Sequence, residues 1–192
     1  AARAIDAGGM VVLNADNELL RRHASGIAAP LAWFSTDDDH PLLRQARDDG
    51  RRSCGVRDGR LLLFDGARAH DLGAVAEMPL TLGGLAAHNV QNCAGAALAA
   101  SGLGIAPATI AAVLARFGSG HGDNPGRLQR WIFGGDVQVY VDYAHNPDGL
   151  HNLLALVRQA QREGGRLHLL LGQAGNRTNE AIGELAATAA AF

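Results

Sequence analysis

The sequence predicts an α/β fold in two parts, and three observations carry that prediction. Apolar runs of strand length alternate with runs of helical length and spacing. Two Asp-Gly pairs, at 58–59 and 65–66, interrupt apolar runs, a signal for a meander of antiparallel strands. The segment GSGHGDNPGR at 118–127 holds four glycines and a proline, and marks the best candidate for a domain boundary.

In chain order, GGMVVLNAD (8–16) reads as a short buried strand ending in Asn14 and Asp16, and NELLRRHA as a short helix. PLAWFS is another strand, and the polar stretch after it holds a short helix starting at Pro41. The antiparallel meander follows, then EMPLTLGG as one more strand closed by two glycines. HNVQNCAGAALAASGLGI (88–105) is helical, and its small residues let it pack closely on a sheet. PATIAAVLARF (107–117) is a second helix, with Pro107 in its first turn.

Beyond the glycine-rich break, LQRWIFGGDVQVYVDYA reads as a hairpin turning at Gly134-Gly135. Pro147 suits the first position of a helix with Asn146 as its N-cap. Leu150, Leu153, Leu154 and Val157 form its apolar stripe, and Gly164-Gly165 ends it. RLHLLLG reads as a buried strand, and NEAIGELAATAAA as a helix. Strand, helix, strand and helix in that order predict a parallel strand pair with a right-handed crossover.

Composition narrows the function. The chain has 192 residues, 47% hydrophobic and 19% charged, so it can bury a sizeable core. A net charge of -2 gives no electrostatic case for nucleic acid or an anionic membrane as partner. No run approaches the roughly 18 apolar residues of a membrane span. The opening residues have no basic stretch leading into an apolar one, so no signal peptide is expected. Cys54 and Cys93 fit no metal spacing and read as reduced, inert thiols of a cytoplasmic protein. All 17 basic residues are arginine. A phosphate loop of the GxxxxGKS/T kind and lysine chemistry are therefore excluded within these residues.

Two polar loops draw attention. DYAHNP follows the first strand of the expected parallel pair, and GQAGNRTN (172–179) follows the second. Ligands of open α/β sheets bind outside the carboxyl ends of the strands. A solvated helix cap is the competing account of DYAHNP. No GxGxxG fingerprint follows either strand, so a plain dinucleotide site is not supported.

VLNAD, PLTLGGLAAHNVQNCAGAALA, NPGR and VDYAHNPDG, in this order and spacing, resemble the Mur ligase superfamily of ATP-dependent amide-bond ligases. Their wording is most like the ligase half of the cyanophycin synthetases. The resemblance implies that residues 1–125 are the C-terminal half of a central ATP-binding domain with a small antiparallel flanking sheet at 56–82. It implies that 126–192 are the first half of a Rossmann-like C-terminal domain. The phosphate loop, the magnesium ligands and a modified lysine of such enzymes would then precede Ala1.

The same resemblance assigns roles. His88, Asn89 and Asn92 would border adenine, Arg127 would contact phosphate, and Asp142 would bind the ribose hydroxyls. His145 and Asn146 would stand near the phosphates, although His145 could equally brace the loop. Each role has a plain rival: helix capping for the first three, an ordinary surface arginine for Arg127. Tyr143 is expected to pack, and Asn14 and Asp16 to be mainly structural. No residue is assigned as catalytic or as a metal ligand. Asn176 and Asn179 stand where similar enzymes carry acidic residues, which puts activity or substrate identity in doubt.

The implied activity is ligation of a carboxylate to an amino compound through an acyl phosphate, with ATP and Mg2+, in peptidoglycan or amino-acid polymer synthesis. The 192-residue chain alone is expected to be inactive. The expected partners are a nucleotide and a small-molecule or peptide substrate, and a homo-oligomer is left open. An inactive Mur-like module that binds nucleotide or a partner is the alternative.

Overall fold

A computed structural model describes residue 5, residues 9–172, residue 175 and residues 177–192. The chain forms two compact units, residues 1–119 and 120–192, each described by itself.

The first unit is built on one five-stranded mixed sheet. Its strands are β1 (Val11–Asn14), β2 (Leu31–Phe34), β3 (Ser53–Arg57), β4 (Arg60–Asp65) and β5 (Arg68–Ala74), lying side by side in that order. β1, β2 and β3 are parallel, and β3, β4 and β5 form the antiparallel meander. The first hairpin turns at Asp58-Gly59, both at positive φ (50° and 72°), as a two-residue turn matched to strand twist requires.

Successive residues of a strand face opposite sides of the sheet, so the sequence places helices on both. Trp33 and Leu13 pack with Leu43 and Ala46 of α2 (Pro41–Asp48) and Ala24 of α1 (Glu18–Ala24). Ala32, Cys54, Leu61 and Leu63 pack with Val90, Cys93, Ala94 and Leu98 of α3 (Ala87–Gly102) and Ile110 of α4 (Pro107–Leu114). Small residues let α3 approach the sheet. A Cβ added at Gly95 would stand 3.1 Å from the Phe34 ring.

Two expectations for this unit are corrected. The meander is not a separate flanking sheet, because β3 is shared. Its residues Ser53, Cys54 and Gly55 are buried, and Trp33 and Phe34 of β2 lie opposite Ser53 and Cys54. The EMPLTLGG segment is not a strand but two 3-10 turns, Val75–Glu77 and Pro79–Thr81. Pro79 has no N–H for a ladder. The buried Thr81 hydroxyl instead donates toward Val75 O (2.6 Å) and Met78 O (2.9 Å) and accepts the Gly84 N–H (3.1 Å).

The second unit pairs β6 (Gln129–Phe133) with β7 (Val137–Val141), joined through Gly134–Asp136, where Gly135 has φ 74°. α5 (Pro147–Ala160) starts as the sequence predicts, with Asn146 Oδ1 accepting the Gly149 N–H at 2.7 Å and Pro147 in the first turn. α6 (Asn179–Ala190) is capped by Thr178. Leu150, Leu154 and Leu185 make the core, with Ala144, Leu167, Ala189 and Phe192 against it.

The expected βαβ unit is corrected here. Among the described residues this unit has one antiparallel pair, and residues 165–172 have no strand. Leu170 is 99% exposed, and Leu169 and Leu171 are also exposed. An all-apolar strand needs cover on both faces. α5 and α6 instead close on one another, and of that run Leu167 joins their core. α5 also ends at Ala160, before the glycine pair, and buries Leu156 besides Leu150 and Leu154. No helix of the described residues is long and apolar enough to cross a membrane.

Candidate functional site

The residues singled out from sequence fall into two groups, one in each unit. In the first, the chain enters α3 through Leu82, Gly83 and Gly84, all at positive φ. Ala86 at the N-cap offers no side-chain bond to the first turn. Asn89 is buried and its Nδ2 donates to Leu80 O at 2.9 Å, which braces the first turn against the loop before it. Its Oδ1 accepts Asn92 Nδ2 at 3.3 Å. Asn92 is exposed and His88 half-buried.

Beside that turn lies a network around Asn14 and Asp16, which the sequence marked as mainly structural. Asn14 Oδ1 accepts the Asp16 N–H at 2.9 Å. Asp16 Oδ1 accepts the Ser35 hydroxyl at 2.5 Å, and its Oδ2 accepts the Thr36 N–H at 3.0 Å and the Thr36 hydroxyl at 3.2 Å. Gln91 Nε2, on α3, donates to the same Oδ2 at 3.3 Å. Partial burial raises the Asp16 carboxyl, but these bonds from Ser35 and Thr36, with the charge of His40, outweigh it and hold the group below its ordinary value. Gln91 was not singled out from sequence; its place between Asn89 and Asn92 was the available signal.

In the second unit, NPGR forms a tight turn in which Arg127 N–H donates to Asn124 O at 3.2 Å. Gln129 ties both ends of the loop, accepting the Gly126 N–H at 2.7 Å and donating to His121 O at 2.5 Å. The His121 ring stacks on Trp131, centroids 5.1 Å apart and nearly parallel. Neither Gln129 nor Trp131 stood out in the sequence, because a brace has no motif.

Asp142, just past β7, reaches this turn: its Oδ2 accepts the Leu128 N–H at 2.8 Å. The Arg127 guanidinium stands 5.3 Å from the centre of the Tyr143 ring. Tyr143 is therefore an exposed platform and not a core residue. His145 Nδ1 lies 3.0 Å from Tyr143 O, and its ring is tilted against Tyr143 at 5.6 Å. Arg127, Asp142, Tyr143 and His145 are thus brought together. Asn146 spends its side-chain oxygen on the α5 cap. Asn179 opens α6, while Asn176 lies outside the described residues.

Residues 126–192 match the family model of the Mur ligase, glutamate ligase domain. The whole chain aligns with the cyanophycin synthetase of Trichormus variabilis at 31% identity over 192 residues, covering 97% of this chain and 21% of that protein. The chain is a relative of the Mur ligases. A cyanophycin synthetase of Geminocystis herdmanii is 29% identical over 179 residues, 93% of this chain and 20% of that protein. The UDP-N-acetylmuramoyl-L-alanyl-D-glutamate–2,6-diaminopimelate ligase of Gloeobacter violaceus is 44% identical over 91 residues, 46% of this chain and 17% of that protein. The chain spans about a fifth of the length of the cyanophycin synthetases it matches. The Mur ligase resemblance read from VLNAD, HNVQN, NPGR and DYAHNP is thereby shown.

Proposed function

We propose that this chain supplies nucleotide contacts to an ATP-dependent ligase that joins a carboxylate to an amino compound as an amide. Its relatives carry the names ligase and synthetase. The observation that carries the proposal is the junction of Asp142 with the NPGR turn. One carboxylate oxygen fixes the backbone beside Arg127, while Oδ1 has no hydrogen-bond partner among the described residues. Arg127 keeps an exposed, permanently charged fork of donors suited to phosphate. Asp142 Oδ1 suits a ribose hydroxyl. In the first unit, Asn92 presents a donor and an acceptor suited to a purine edge, with His88 beside it.

Bound ATP would supply a phosphoryl group to the substrate carboxylate with ADP leaving, and attack of the amine would then release phosphate and leave the amide. The residues of this chain hold and orient, and Arg127 offsets negative charge. Residues 1–125 would be the later half of the central ATP-binding domain, and 126–192 the first half of the C-terminal domain. Among the described residues no group of three His, Cys, Asp or Glu side chains is placed to hold a metal, so no step is assigned to Mg2+ here. Peptidoglycan or amino-acid polymer synthesis, in the cytoplasm, would be the setting.

Calorimetric titration with a non-hydrolysable ATP analogue tests this. Saturable binding that is lost in Arg127→Ala is expected, without ATP turnover by the 192-residue chain. Magnesium-dependent, saturable ATPase activity of that chain would show that the phosphate cradle has been misplaced. A second reading, a nucleotide-binding module without ligase activity, is favoured by Asn176 and Asn179 in place of acids. It predicts binding without phosphate release when candidate acids and amines are supplied to the intact protein.

A further inference from the structure

We infer that Asp16 is a positioning residue for the start of α3, holding His88, Asn89 and Asn92 in place through Gln91. The functional half of this rests on the nucleotide role proposed above for those three residues.

The geometry begins with two parallel strands. β1 ends at Asn14 and β2 at Phe34, so both present their carboxyl ends at one edge. The Asn14 side chain, bonded to the Asp16 N–H, turns the chain there. Asp16 then reaches across to the residues that follow β2. Ser35 is fully buried, and its hydroxyl donates to Asp16 at 2.5 Å while accepting the Asp37 N–H at 2.9 Å. Thr36 donates to Asp16 through both its N–H and its hydroxyl. The fourth donor is Gln91, 75 residues away in sequence. One carboxylate therefore joins β1, β2 and α3.

Its effect falls on the first turns of α3. Farther along, the helix is set by close packing, with Gly95 against Phe34 and Ala94 and Leu98 in the core. The first turn lacks a side-chain N-cap. Side-chain tethers there include Asn89 to Leu80 O and Gln91 to Asp16. Gln91 lies between Asn89 and Asn92, so a change in its anchor alters the presentation of both. A carboxylate accepts several donors at once, and an alanine there would leave the buried Ser35 hydroxyl without its acceptor.

The test compares Asp16→Ala, Asp16→Asn and Gln91→Leu with wild type in the full chain. The measurements are titration with a non-hydrolysable ATP analogue, thermal melts, and amide hydrogen exchange at residues 87–92. Asp16→Ala should weaken binding about tenfold and Gln91→Leu about threefold, with Asp16→Asn in between because it keeps one acceptor. Exchange should quicken at residues 87–92 in each variant and stay unchanged in the rest of α3. Lower melting temperatures with wild-type affinity would make Asp16 a stability clip only and overturn the functional role. A wild-type chain that binds no analogue sinks the nucleotide reading and that functional half with it. The exchange data still decide the positioning: unchanged protection at 87–92 in Gln91→Leu overturns it.

Discussion

Asp142 Oδ2 accepts the N–H of Leu128 at 2.8 Å, and Leu128 is held there at φ 53°, a conformation that side chains other than glycine seldom adopt. A ribose ligand and a loop tie need not compete for this carboxylate, because each takes a different oxygen. Asp142→Ala should lower the melting temperature and also weaken ATP-analogue binding by about tenfold. Asp142→Asn keeps an acceptor for Leu128 and loses the charge, so it should retain the melting temperature and still lose affinity. Equal affinities of Asp142→Asn and wild type in a calorimetric titration would refute the ribose role.

The exposed run after Gly165 yields a second expectation. Leu170 is 99% exposed, so Leu170→Ser should change stability by no more than about 0.5 kcal/mol in urea unfolding. Leu167 touches the α5–α6 core, and Leu167→Ala should cost more. A loss of about 2 kcal/mol or more at Leu170 would mean that the run is a buried strand after all.

Much of the fold was legible in the sequence where the signal is local. Asp58-Gly59 dictated the first hairpin, and Asn146-Pro147 dictated the start of α5, because a turn or a cap is satisfied by residues within a few positions. The failures are non-local. RLHLLLG has strand composition, but a strand also needs a partner edge and covered faces, and composition specifies neither. The shared strand β3 was missed for the same reason: pairing with β2 depends on residues about twenty positions away. Of the candidate site, Arg127, Asp142, Tyr143 and His145 were legible as neighbours in two motifs, whereas the Gln129 tie, the stacking of Arg127 on Tyr143 and the Asp16–Gln91 link appear only in three dimensions.

Both cysteines should be unreactive in the native chain. Burial pushes the Cys93 thiol up to about 11. Burial, reinforced by the charge of Asp38, pushes Cys54 higher still. The thiolate is the nucleophile, so at pH 8 a disulfide reagent should titrate neither group in the folded protein and both free thiols after denaturation. Rapid labelling of Cys93 without denaturant would show that α3 opens readily.

Acid should destabilise the chain partly through Asp16. Its folded carboxyl lies below the ordinary value of 3.8 because its hydrogen bonds outweigh burial. A depressed folded value contributes stability that is present above the unfolded value and is lost as pH falls through the folded one. Between pH 5 and pH 3 the urea midpoint of wild type should fall more than that of Asp16→Asn. Asp71, also depressed by its bond with Arg60, contributes equally to both proteins and cancels from the difference. Identical acid profiles would show that Asp16 makes these bonds too weakly to matter.

The largest stability effect is expected at Asp38, a buried acid at 1% exposure that receives two arginines. Arg47 Nη1 donates to its Oδ1 at 2.8 Å, Arg47 Nη2 to its backbone oxygen at 3.0 Å, and Arg57 to Oδ2. The Arg47 guanidinium also lies 4.4 Å from the centre of the Phe64 ring, and its side chain is only 11% exposed. Removing the carboxylate leaves that cation buried without its counter-charge, so Asp38→Ala should cost about 3–5 kcal/mol. Arg57 is half-exposed, its charge can return to water, and Arg57→Ala should cost about 1 kcal/mol or less. The backbone beside Asp38 is equally tight. A Cβ at Gly55 would stand 2.7 Å from Asp38 Cα and 2.8 Å from Leu43 Cδ2, so Gly55→Ala should cost about 1–3 kcal/mol by overpacking. Urea unfolding of the three variants checks the order. If Asp38→Ala proves no more harmful than Arg57→Ala, water screens the Arg47 pair and the clip between the loop after β2 and helix α2 contributes little.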